Sequence, residues 1–84
     1  MTTLEIRLKA ITIIDTIITL KTNVRNGCYS DSRELESNML RLEGIKTWAI
    51  ENDQIAEIKH YFASKNFGQT KQFAASELAL YFNN

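Results

Sequence analysis

Proline is missing from the chain, and glycine stands only at positions 27, 44 and 68. Proline interrupts helices and glycine loosens them, so a chain without the first and nearly without the second can run long helices between rare stops. The glycines are too far apart to cradle a phosphate, which excludes P-loop and dinucleotide-binding readings. One cysteine, Cys28, rules out an intrachain disulfide and a multi-thiol zinc site, and it fits a reducing compartment. One histidine, His60, has no second histidine or acidic spacing to complete a metal site. No cofactor is implied.

Charge of one sign is also lacking. Ten basic and ten acidic residues cancel, so net charge gives no nucleic-acid footprint. Their placement is uneven. Residues 1–29 carry four basic against two acidic side chains, residues 30–57 three against seven, and residues 58–84 three against one. An acidic middle between mildly basic ends implies attraction between segments within the fold. The longest strongly apolar stretch, Ala10 to Leu20, contains Asp15 and three threonines. A bilayer needs about 20 apolar residues, so no membrane span is expected. The start of the chain does not read as a signal peptide, and a cytoplasmic location is the expectation.

What is present is helical periodicity. Eighty-four residues, 44% of them apolar, suffice for one domain with one modest core. Over Thr3 to about Arg25, Leu4-Ile6-Leu8-Ala10 alternates like a strand, but the doublets Ile13-Ile14 and Ile17-Ile18 break the alternation. At 100° per residue Ile6, Ala10, Ile11, Ile13, Ile14, Ile17, Ile18, Leu20 and Val24 fill an arc of roughly 180°, with Glu5, Lys9, Thr12, Thr16, Thr19 and Asn23 opposite. Thr2 and Glu5 form a capping-box signature, and Asn26-Gly27 a stop. Ser30 or Asp31 is placed to cap a second helix bearing the stripe Leu35, Met39, Leu42, Ile45 and Ala49. A third helix is expected from about Asp53 and a fourth behind a Thr70 cap. The fold class is all-α: a compact bundle of three to four helices over about 3–25, 31–50, 53–66 and 70–82. Residues 31–66 also allow one long or kinked helix, in which Leu40, Gly44, Trp48, Ile55, Ile58 and Phe62 would form a second stripe. A break is preferred, with Asn52 or Asp53 capping the new helix.

Catalytic motifs do not emerge. Cys28 has no activating base in view, and the carboxylate pairs Glu34/Glu36 and Glu51/Asp53 read as helix-start charges rather than an acid–base pair. The chain is expected not to be an enzyme. Its candidate partner site is the set Leu40, Gly44 and Trp48, where glycine permits close approach and a large aromatic serves as anchor, rimmed by Arg41, Glu36, Glu43 and Glu51. A secondary aromatic patch is Tyr61, Phe67, Tyr81 and Phe82, more easily read as buried than as exposed.

The leading expectation is a regulator or inhibitor that docks on another protein through a helical surface. In size, helicity and lack of catalytic motifs, the chain is similar to the small inhibitors of phages and mobile elements, such as anti-CRISPR proteins, antiholins and host-polymerase appropriators. That similarity is one of format, not of matched residues. One alternative is a helix-turn-helix-like nucleic-acid binder using residues 55–82, with Lys59, Lys65, Lys71 and Gln72 on phosphates and Gln69 or Thr70 on a base edge. Phe73, Ala74, Ala75, Leu78, Leu80 and Phe82 leave its second helix few groove-reading side chains. Another is a structural subunit that self-associates through the apolar helix 3–25.

Overall fold

A computed structural model describes residues 2–83. It holds four α-helices among the described residues: α1 (Thr3–Arg25), α2 (Ser32–Glu51), α3 (Ile55–Ser64) and α4 (Gln72–Asn83), with a 3-10 turn at Tyr29–Asp31. The all-α bundle and the break between α2 and α3 match the sequence pattern. No described helix is long and apolar enough to cross a membrane.

α1 starts on the capping box read from the sequence. The Thr2 hydroxyl accepts the Glu5 amide at 3.1 Å, and the Glu5 carboxylate accepts the Thr2 amide in return. Its end is a Schellman motif: Gly27, at φ +103°, lets the Cys28 amide reach the Asn23 carbonyl at 2.9 Å and its own amide reach Val24 at 3.1 Å. The end of α2 repeats this pattern with a different residue. Asp53 takes the left-handed conformation (φ 61°), the Gln54 amide reaches the Ala49 carbonyl at 2.7 Å, and the Asn52 side chain donates to the Trp48 carbonyl at 2.9 Å. Asn52 and Asp53 therefore end α2 and do not cap α3, whose cap position is Gln54.

Other boundaries also differ from expectation. Asp31 does occupy the cap position of α2 but makes no capping bond there. Its carboxylate instead accepts from Asn23 on α1, tying the connecting turn down. α3 stops at Ser64, two residues short of the expected 66, because Lys65 is already extended. Thr70 lies in the turn before α4, two residues ahead of Gln72.

α1, about 34 Å long at 1.5 Å per residue, runs the 37 Å length of the molecule. Ile14, Ile17 and Ile18 form the centre of the core, with Leu42 and Ala49 from α2, Ile58 from α3, and Ala74, Ala75, Leu78 and Phe82 from α4. Small Ala49, Ala74 and Ala75 let the helices approach closely. The break at Asn52-Asp53 turns Ile55, Ile58 and Phe62 onto the same core as Leu42 and Ala49. Met39 departs from its predicted stripe: it lies at the edge, 37% exposed.

Ion pairs join the segments only partly as the charge pattern implied. Arg7–Glu57 (3.8 Å) links a basic end to the acidic middle, whereas Lys21–Glu77 (2.8 Å) and Lys65–Asp15 (3.2 Å) link the two ends to each other. Glu34, Glu36, Glu43 and Glu51 of α2 enter none of these pairs.

Candidate functional site

The short connection at residues 26–31 folds α2 back along α1, and the two helices leave a groove of about 450 Å³ between them. From α1 it is lined by Ile6, Ala10 and Ile13 with Lys9, and from α2 by Gly44, Ile45 and Trp48 with Arg41. No residue of α3 or α4 contributes to it. Arg7 and Asp15 of α1, which meet Glu57 and Tyr61 of α3, stand roughly 160° and 120° from Lys9 at 100° per residue.

Gly44 shapes this groove. A methyl group built at its Cα would meet nothing within 4 Å, so internal packing does not require glycine there. Glycine within a helix nonetheless costs about 1 kcal/mol relative to alanine. Trp48 is half-buried, packed against the core and also facing the groove. Lys9 and Arg41 are exposed, and neither joins any ion pair among the described residues.

The structure thus brings Arg41, Gly44 and Trp48 together and leaves the other four partner-site candidates outside. Leu40 is 79% exposed, and Glu36, Glu43 and Glu51 are exposed beyond the groove lining. The α1 wall was missed in the sequence. Ile6, Ala10 and Ile13, spaced by 4 and 3, belong in the sequence to the broad apolar arc of the first helix, and only the hairpin pairing of α1 with α2 reveals their open edge.

The aromatic set divides by burial. Phe82 is buried and Tyr61, Phe67 and Tyr81 are half-buried. Phe62, which the sequence reading did not include, joins them in a series of ring contacts with centroids 5.5–6.2 Å apart. These rings lock α3, the following loop and α4 together.

Polar groups of the same region bond to α1. Asp15 on α1 accepts from the Tyr61 hydroxyl and from Lys65, which also donates to Tyr61 at 2.9 Å. Burial, helped by the bond to Asp15, raises the Tyr61 pKa above its ordinary value, and the bond to Tyr61 raises that of Lys65. Lys71 donates to the Thr19 hydroxyl at 3.2 Å. Two of the lysines considered for phosphate contact are therefore engaged with α1, while Lys59, Gln69, Thr70 and Gln72 are exposed. The exposed positions of α4 include Phe73 and Leu80 and carry Glu77 as their charge.

His60 and Cys28 are both exposed, on α3 and beside the α1–α2 turn respectively. No group of three or more histidine, cysteine or acidic side chains converges as a metal site among the described residues. Comparison with known proteins gives no match to a family model, a curated sequence or a solved structure.

Proposed function

We propose that the chain is a non-enzymatic regulator that docks on another protein, taking a helix of that protein into the groove between α1 and α2. One observation carries this reading: Gly44 opens a mid-helix gap that no internal contact uses, directly beside a half-exposed tryptophan. Glycine admits a close backbone approach, and tryptophan is the side chain most often found to dominate a docking interface. The format shared with phage and mobile-element inhibitors agrees with such a role.

The test is affinity capture from the producing cell, comparing the wild-type chain with Gly44→Trp. The new indole fills the groove from a position where the fold leaves room, so the helical circular-dichroism spectrum is retained. A partner captured by the wild type and lost with Gly44→Trp supports the reading; equal capture by both overturns it. Trp48→Ala is expected to weaken the same interaction by about 2 kcal/mol or more.

A second reading, self-association through α1, has its own support in Leu4 and Leu8, exposed to 52% and 54% at the start of that helix. A melting temperature that rises with protein concentration would favour it, and a constant one would remove it. Nucleic-acid binding through residues 55–82 is the weakest of the three, since Lys65 and Lys71 are engaged within the fold.

A further inference from the structure

The chemistry of the docked helix follows from the two walls of the groove, on the premise that the groove is a docking site. The apolar α1 wall runs from Ile6 to Ile13, about 10 Å or two helical turns. A helix lying along it presents an apolar ridge at i, i+3 or i+4, and i+7. Where that ridge crosses Gly44, the empty space accepts a large side chain of the occupant.

Both charged residues that line the groove are cations. Lys9 stands on the α1 wall and Arg41 on the α2 wall, both exposed. Elsewhere the fold uses its cations: Arg7, Lys21 and Lys65 sit in ion pairs, Arg25 lies over the Phe73 ring, and Lys46 and Lys71 hold a carbonyl and a hydroxyl. Arg33 and Lys59 are also outside any ion pair, but neither lines the groove. The acid closest to Lys9 along the helix, Glu5, is turned to Thr2 in the capping box. Each long wall of an apolar channel thus carries a positive charge with no partner among the described residues.

We propose that the occupant is an acid-flanked amphipathic helix, its apolar ridge seated on Ile13, Gly44 and Trp48 and its carboxylates meeting Lys9 and Arg41 on either side. A basic-flanked helix would place like charges together on both walls, so the pair of cations acts as a selector. Rim charges govern choice and rate of association more than affinity, and the preference weakens as salt rises.

The test uses two synthetic helix-forming peptides that share one leucine ridge, with glutamates flanking it in one and lysines in the other. Each is titrated calorimetrically into the full chain at low salt. The expected result is binding about tenfold tighter for the glutamate peptide, with the order reversed in the Lys9→Glu, Arg41→Glu double variant. Lys9→Gln and Arg41→Gln, each an exposed single change, should narrow the preference while leaving helicity intact.

Equal binding of the two peptides, binding of neither, or binding unchanged in Gly44→Trp would overturn the proposal. So would a homodimer that Gly44→Trp dissociates, because the occupant would then be a second copy of this chain. Failure with the peptides beside loss of native capture in Gly44→Trp would reject the acid-flanked occupant and leave docking itself standing.

Discussion

Tyr61 on α3 donates its hydroxyl hydrogen to Asp15 on α1, across a sequence separation of 46, and Lys65, the first residue past the end of α3, donates to both. Asp15 is the one acidic residue within the apolar stretch Ala10 to Leu20, and this cluster accounts for its position. Tyr61→Phe is expected to cost about 1 kcal/mol, the ordinary net value of one hydrogen bond. The ion pair itself adds little, since Lys65 and Asp15 are 42% and 39% exposed and well screened. Urea unfolding measures the loss.

The same cluster gives stability a dependence on alkaline pH. Burial and the Asp15 bond raise the Tyr61 pKa above 10.0, so the folded state holds the phenolic proton more tightly than the unfolded chain does. That contribution is fully present below 10.0 and is lost as pH climbs through the raised value. Lys65, raised above 10.5, acts in the same direction. Unfolding free energies at about pH 8 and about pH 11 should fall more steeply for the wild type than for Tyr61→Phe. Parallel slopes would show that Tyr61 is not the group responsible.

Two helix stops share one geometry and call for opposite substitutions. Gly27 (φ +103°) suits its position, so Gly27→Ala should destabilise by about 1 kcal/mol. Asp53 (φ 61°) performs the same turn with a residue that tolerates the left-handed region better than most but less freely than glycine, so Asp53→Gly should be neutral or stabilising by up to about 1 kcal/mol, and Asp53→Val destabilising. Thermal melts of the three variants check the order.

The sequence displayed most of the fold through local rules. The Thr2/Glu5 box, the Gly27 stop and the stripe of α2 all depend on residues within a few positions of each other. The cap at the α2–α3 break shows where local rules are ambiguous. Asn52 and Asp53 favour helix starts and helix ends alike, and only the carbonyls of Trp48 and Ala49 show that they serve as an end. The groove was half legible for a related reason: glycine beside tryptophan on α2 is a local signal, whereas the pairing with Ile6 and Ile13 exists only once the hairpin closes.

Burial separates the aromatic residues into two classes that truncation should distinguish. Phe82 is 2% exposed at the centre of the core, and Phe82→Ala is expected to cost about 3–5 kcal/mol, a large share of what so small a domain commands. Phe73, 52% exposed beneath the Arg25 guanidinium at 3.6 Å, should cost no more than about 1 kcal/mol on the same change. Comparable losses at the two sites would contradict the packing described above.

Gly44 offers the sharpest contrast between stability and binding. Alanine there meets no neighbour within 4 Å and removes the backbone freedom that glycine gives the unfolded chain. Gly44→Ala should therefore stabilise the isolated protein by about 0.5–1 kcal/mol, read as a higher urea midpoint at unchanged slope. The same methyl projects into the groove, so a helix seated against Gly44 must draw back from it and binding should weaken. Gain on one axis with loss on the other is what a docking surface held open at the expense of helix stability produces. Destabilisation by alanine would mean instead that Gly44 serves the fold, and the groove would lose its main support.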